Sequence, residues 1–487
     1  MGAWSLWPLG SRYEPTRPKF VEQRSSTWFI LAVVSFATAT DIFMYGLIVP
    51  VTPTALDRRV GLSADKALYS ASLLAFSPIV GYIADRAESR RWPMIVGLVA
   101  LAAATALLCV GTNIGLWIAG RLFQGAAAAV VWTVGLALMV DTVGKDGLGQ
   151  AIGYVSMSLS LGTMAGPLLG GVLYQDGGYY SVFGLAFGLI AIDIVLRFAL
   201  IEKRHALPWI KQEKTQGSMV VQQDDDTKVS SSESEPSDPP PAPASRTPES
   251  PTMTKGTPGP LRRVKILLKS YRLVVAVWGY FVMSLVMTSF DSVLPIFVEE
   301  TFGWRQTAQG LIFLPFMIPH FLDPITGFII DRFPKSPRYI VAGGFFASVP
   351  IAVLLRLITE NTMHDKVILC VLLALLGLCL AVVMTPLVVE VTKAVEQIET
   401  KSPDIFGRGG AMALAFGLSN MGFALGSLIG PFFAGFIRQS SGWGTMGWAM
   451  GLITGVTAIP CLLFIGGWIL NSPDRVSAEG VDQSHLE

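Results

Sequence analysis

The sequence predicts an all-α membrane protein with 12 transmembrane helices in two six-helix halves. Three observations carry this. First, 52% of the 487 residues are hydrophobic and 15% are charged, where ordinary soluble domains carry about 25% charge. Second, apolar stretches close to the ~20 residues needed to cross a hydrocarbon core recur along the chain. Third, one long polar segment divides those stretches six and six.

Residues 1–27 carry Arg12, Arg17, Lys19 and Arg24 among several prolines. No compact apolar core precedes a cleavage site, so they read as a cytoplasmic tail rather than a signal peptide. The N-terminal half, 28–200, contains spans at 28–53, 65–84, 93–112, 115–140, 149–174 and 179–200. Residues 201–271 hold Asp224-Asp225-Asp226, Ser230 to Ser232 and Pro239-Pro240-Pro241, with few aromatics. Such a segment cannot bury enough apolar surface to offset chain entropy, so a disordered cytoplasmic loop is expected. The C-terminal half, 272–470, contains spans at 272–298, 308–331, 338–358, 366–391, 410–438 and 443–470, and 471–487 reads as a second cytoplasmic tail. Lysine and arginine concentrate on the side that holds both tails and the long loop, as the positive-inside rule requires.

A net charge of +1 gives no reason to expect a nucleic-acid partner. Cys109, Cys370, Cys379 and Cys461 lie far apart inside apolar runs, so they read as small hydrophobes without a disulfide or metal role. The chain has no phosphate loop, no Gly-x-Ser-x-Gly and no metal-ligand cluster. These absences argue against an enzyme, an ATP-driven pump and a cofactor.

The two halves repeat. Gly81-Tyr-Ile-Ala-Asp85-Arg86 ends the second span and Gly327-Phe-Ile-Ile-Asp331-Arg332 ends the eighth, at an offset of 246 residues. Pro50 and Pro295 sit at an offset of 245, and Gly166-Pro167 matches Gly430-Pro431 at 264. Parallel repeats of this kind hold substrate near the midplane between the halves and rock to alternate access.

The loop Gly81-x-x-x-Asp85-Arg86-x-x-x-Arg90-Arg91 resembles the signature loop of the major facilitator superfamily, with Glu88 where that loop usually has glycine. The resemblance implies that Gly81, Asp85, Arg86 and Arg90, together with Gly327, Asp331 and Arg332, form a gate. Arg121-Leu-Phe-Gln124-Gly125 in the fourth span resembles the superfamily's R-x-x-Q-G motif. In the fifth span, Gly162-x-x-x-Gly166-Pro167-x-x-Gly170-Gly171 resembles the motif of the drug:proton antiporter branch. Small residues at this spacing permit close helix contact, and an interior proline bends the helix.

Asp41 lies about 20 Å along the first span, near mid-membrane. An ionised aspartate there costs roughly 3 kcal/mol on insertion scales, so it needs a function or a partner. The run Asp41 to Pro50 and Pro53 resembles the first helix of vesicular amine transporters. Asp291-Ser-Val-Leu-Pro295 in the seventh span and Gly310-Leu-Ile-Phe-Leu-Pro315 in the eighth extend the likeness. Two positions depart from it: Phe416 stands where those transporters carry an acid in the eleventh helix, and Glu390 replaces an acid further along the tenth. His320 and Asp323 lie one turn apart in the eighth span.

The expected function is a secondary active transporter, close to fungal efflux transporters, that exports small hydrophobic or amine-like organic molecules such as drugs or secondary metabolites in exchange for protons. Asp41, Asp291 and Glu390, with Arg121 and Gln124, are the expected substrate and proton residues. The expected partners are a small-molecule substrate, protons and the lipid bilayer, the expected state is monomeric, and the expected location is the plasma membrane or a vacuolar or vesicle membrane. A nutrient importer, or a non-transporting sensor on the same fold, is the alternative. The fifth-span motif favours export over import, and the membrane acids favour transport over sensing.

Overall fold

The computed structural model describes residues 20–47, 62–87, 89–110, 114–144, 147–203, 205–209, 259–407 and 409–469. Pro50, Pro53, Glu88, the tails and most of the long loop lie outside the described residues. The described residues are mostly helical, joined by short turns, with no strand among them.

In the first half, α1 is Thr27–Leu47, α2 Leu62–Ala84, α3 Arg91–Val110, α4 Ile114–Val143, α5 Leu148–Gly177 and α6 Tyr179–Ala199. The second half begins with α7, Tyr271–Phe302. Next comes α8, an interrupted span made of Gln306–Leu311, Phe313–Met317, a 3-10 stretch Ile318–Leu322 and Asp323–Arg332. Pro315, Pro319 and Pro324 explain the interruptions, since each removes a backbone donor and crowds the preceding turn. Then follow α9, Ser336–Leu354, and α10, Met363–Lys401. The last two helices run continuously through Met412–Phe464 but bend at Gly442, which has φ 86°. They are α11 (412–441) and α12 (443–464). Among the described residues, ten helical stretches, the interrupted α8 included, are long and apolar enough to cross a membrane. The bend at Gly442 divides one of them, and α2, at 23 residues, completes the twelve.

The structure departs from the sequence expectation in α10, in the 201–271 segment and in α12, which ends at Phe464 rather than 470. α10 runs ten residues past the expected 391, through Thr392 to Lys401, because its polar last turns continue the helix beyond the apolar window. The 201–271 segment is not loop throughout: Pro260–Leu268 is a helix. Gly259 and Pro260 start it, and it buries Arg263 and Leu267 while exposing Arg262 and Lys265.

Glycine stripes set the packing within each half. A Cβ on Gly162, Gly166 or Gly170 of α5 would strike the backbone carbonyls of Ala39, Phe43 and Leu47, successive turns of α1. A Cβ on Gly422, Gly426 or Gly430 of α11 would meet the carbonyls of Val277, Phe281 and Leu285 on α7 in the same register. Close backbone approach at small residues is the main route to helix association in lipid. A Cβ on Gly171 would meet nothing within 4 Å, so this glycine takes no part in the stripe. The fifth-span motif is therefore a packing surface for α1 at three of its glycines. The halves meet where α2 crosses α11 and where α5 crosses α8, at Gly81, Gly149, Gly153, Gly327 and Gly417.

Candidate functional site

Two carboxylates close one end of the bundle, each at the end of the second helix of one half and each capping a helix of the other. Asp85 follows α2 and accepts the backbone N–H groups of Ala413 and Leu414, both at 2.9 Å, at the start of α11. Asp331, near the end of α8, accepts the N–H groups of Gly149 (2.8 Å) and Gln150 (2.9 Å) at the start of α5. Neither α5 nor α11 has a side-chain cap of its own. The orphan donors and partial positive charge of each helix N-terminus are therefore satisfied from the opposite half. Gly81 and Gly327 make this geometry possible, since a Cβ on either would collide with backbone of the facing helix. Burial pushes the Asp85 carboxyl above its ordinary range, opposed by the Arg90 guanidinium and the Leu414 and Ala413 N–H groups.

The basic residues of the expected gate divide by role. Arg90 bridges Asp85 at 3.3 Å and Asp141 at 3.2 Å. Arg86 is exposed and lies 4.5 Å over the Tyr82 ring instead. Arg332 is exposed at the end of α8. Arg338 donates to the carbonyls of Ile465, at 2.8 Å, and Gly467, so it holds the end of α12 and does not bind Asp331. Arg91 does the equivalent in the first half, reaching the Phe198 carbonyl at the end of α6 at 2.7 Å.

The second cluster surrounds Asp41, which is 0% exposed. Its Oδ2 accepts from Trp132 Nε1 at 3.1 Å and from the Tyr69 hydroxyl at 3.4 Å. Its Oδ1 has no hydrogen-bond partner among the described residues. Tyr45, one turn along α1, packs on Tyr69 with ring centroids 4.7 Å apart. Arg121 lies 5.9 Å over the Tyr45 ring and donates to Gln124 Oε1 at 2.8 Å. Gly125 brings α4 against α2, because a Cβ there would overlap the Tyr69 carbonyl and the Ser72 side chain. The R-x-x-Q-G residues thus adjoin Asp41 through the two tyrosines.

The structure does not bring all the expected acids together. Glu390 is buried in a tight ion pair with Arg272, at 2.6 Å, and accepts the Gly466 N–H at 2.9 Å. Those partners lie at the start of α7 and past the end of α12, so Glu390 belongs to the closed end of the bundle and not beside Asp41. Asp291 is half-buried on α7, one turn before Pro295. His320 Nδ1 lies 3.4 Å from Asp323 Oδ2, both buried in the irregular part of α8.

Sequence reasoning missed Tyr69, Trp132 and the buried Asp193–Arg197 pair of α6, at 3.2 Å. The last has a visible signal, opposite charges four residues apart inside an apolar span. Tyr69 and Trp132 have none, since aromatic residues are common in such spans.

The family model described as Major Facilitator Superfamily matches residues 31–401. The chain is 31% identical over 473 residues to an uncharacterized MFS-type transporter of Schizosaccharomyces pombe, covering 94% of this chain and 99% of that protein. It is 32% identical to the MFS-type transporter ppzB of Metarhizium rileyi, covering 91% and 96%. A probable vesicular acetylcholine transporter of Danio rerio is 22% identical over 94% of this chain and 84% of its own. The crystal structure of the human organic anion transporter MFSD10 has the same fold, with a TM-score of 0.65 at 15% identity over 89% of this chain and 99% of that one. Together with the twelve helices and their repeat, these place the chain in the major facilitator superfamily, as a multi-pass membrane protein that is a secondary transporter and not an enzyme.

Proposed function

We propose that the protein is a proton-coupled exporter of small hydrophobic or amine-like organic molecules, with its closed end facing the cytoplasm. The observation that carries this reading is Asp41, a fully buried carboxylate held by Tyr69 and Trp132 with Tyr45 alongside. Aromatic faces attract a cation, and more strongly once it is desolvated. A carboxylate in that setting neutralises either a proton or an organic ammonium group. Competition of the two for one carboxylate is the elementary form of antiport. Asp291 of α7 is the second acid of the scheme. The relative named as a vesicular acetylcholine transporter supports an amine-like cargo.

Sidedness follows from charge. Arg86, Arg91, Arg332, Lys335 and Arg338 gather at the closed end, where the positive-inside rule puts the cytoplasm. The bonds of Asp85 and Asp331 then hold the cytoplasmic gate shut, and substrate enters from that side only after both release.

The test uses purified protein in liposomes with an acidic lumen and tetraphenylphosphonium as the cationic probe, the closed end outward. With equal potassium on both sides and valinomycin holding the potential at zero, the expected result is uphill accumulation above that of protein-free liposomes, which a protonophore collapses. Accumulation of an organic anion together with protons, and none of the cation, would refute the assignment.

A further inference from the structure

Both residues that hold Asp41 are followed immediately by a residue that bonds to the other half. On α2, Tyr69 donates to Asp41 and its neighbour Ser70 shares a hydrogen bond with Ser427 of α11 at 3.0 Å. On α4, Trp132 donates to Asp41 and its neighbour Thr133 accepts from Asn420 Nδ2, also of α11, at 3.2 Å. Asn420 and Ser427 are seven residues apart, two turns, so they share one face of α11. Between them Ala424 is fully buried in one apolar cluster with Tyr69, and Trp132 packs against that cluster. One face of α11 therefore reads two dipeptides whose other members grip the acid.

We propose that Tyr69-Ser70 and Trp132-Thr133 are the couplers that transmit the occupancy of Asp41 to α11, with Ser70, Thr133, Asn420 and Ser427 acting as positioning residues. This rests on the reading of Asp41 as the coupling acid. An ionised carboxylate makes charge-assisted hydrogen bonds roughly twice as strong as neutral ones. A proton or an organic cation on Asp41 removes that advantage and loosens Tyr69 and Trp132. Adjacent residues on a packed helix cannot move independently. Any turn of α2 or α4 that follows the loosened side chains carries the Ser70 and Thr133 hydroxyls off α11. Two turns before Asn420 lies the N-terminus of α11 that Asp85 caps, so the same helix links the acid to the gate.

The charged and titratable groups around Asp41 are Tyr45 on its own helix, Tyr69 on α2, Arg121 on α4 and the Asp193–Arg197 pair on α6. Each is left intact in the test variants, so a change in pH response reports the cross-half bonds.

The experiment places spin labels at Ala87 and Ser402, on opposite halves of the closed end, in the full-length protein reconstituted in liposomes. The distance distribution is followed against pH in the parent, Asp41→Asn, Ser70→Ala/Thr133→Val and the conservative Thr133→Ser. Downhill exchange of tetraphenylphosphonium serves as a check on folding. The parent distribution is expected to shift with pH. Asp41→Asn and Ser70→Ala/Thr133→Val should both abolish the shift, and Thr133→Ser, which keeps the hydroxyl, should retain it. The double variant should keep downhill exchange, while its uphill accumulation drops from about tenfold per pH unit to about onefold. A shift lost in Asp41→Asn but retained in Ser70→Ala/Thr133→Val overturns the coupler and leaves the coupling acid standing. A shift retained in Asp41→Asn overturns the coupling acid and the coupler with it.

Discussion

Replacing Asp85 by Asn tests the gate directly. The carboxylate accepts two backbone N–H groups of α11 at 2.9 Å, one on each oxygen, and pairs with Arg90. Asparagine keeps one acceptor oxygen and turns an NH2 group toward the second N–H. The loss of one charge-assisted bond costs about 1.5–3 kcal/mol. The loss of negative charge at a helix N-terminus adds about 0.3–1 kcal/mol. A working figure of about 3 kcal/mol shifts the closed-to-open ratio roughly 100-fold, at tenfold per 1.4 kcal/mol. Asp331→Asn removes the equivalent cap of α5, where the same two bonds measure 2.8 and 2.9 Å. The two sites share no partner, so their effects add to about 6 kcal/mol. Moving an equilibrium from 99:1 to 1:99 takes about 5.5 kcal/mol. One substitution should therefore give a mixed population and both together an open one. The assay is the distance distribution between spin labels at Ala87 and Ser402, on a background lacking the four native cysteines. The single variants should add a longer component and the double variant should be dominated by it. A double variant with the parent distribution, at normal expression, would refute the capping argument and leave the basic loops only a topological role.

Three other outcomes follow from the packing. Gly162→Ala should lower thermal stability by about 1–3 kcal/mol through overpacking against α1, while Gly171→Ala should leave it unchanged, as read by a fluorescence melt; equal effects would contradict the stripe. Glu390→Gln should destabilise by about 3–5 kcal/mol, because Arg272 is left buried without its charge partner. Its uphill and downhill transport should fall in parallel, whereas selective loss of uphill transport would return Glu390 to the coupling site. Single cysteines at Ser402 and Thr362, both exposed and at opposite ends of α10, should differ in intact cells: an impermeant reagent should label Thr362→Cys and not Ser402→Cys, and the reverse pattern would invert the topology.

The sequence made the helices and their repeat visible because lipid imposes a length and a composition on every span. Asp85 and Asp331 could be paired with each other from their matching loops. What they bind could not be read, because a bond from Asp85 to the backbone of Ala413 places no demand on residue 413 beyond an N–H. The glycines facing those bonds were the available trace: Gly81 and Gly327 show in the repeated motif, but Gly149 stands out only once α5 and α8 are known to cross. Glu390 looked like a cavity acid because its partner, Arg272, is 118 residues away at the edge of another span. Asp41 was conspicuous as a lone charge in an apolar run. Its partners were not, since Tyr69 and Trp132 look like ordinary interfacial or core aromatics until the fold brings α1, α2 and α4 together. The extension of α10 escaped notice because apolarity marks where a helix is wet or dry, not where it stops.

Proton coupling through Asp41 is the central claim, and the most direct measurement is uphill transport in liposomes under an imposed pH gradient. Parent protein and Asp41→Asn, matched for reconstituted amount, are compared for pH-driven accumulation and for downhill exchange of tetraphenylphosphonium. The parent should accumulate the probe about tenfold per pH unit, since one unit is worth about 1.4 kcal/mol per proton. Asp41→Asn should show no accumulation above equilibration and a reduced but measurable downhill exchange. Accumulation undiminished in Asp41→Asn would contradict the account.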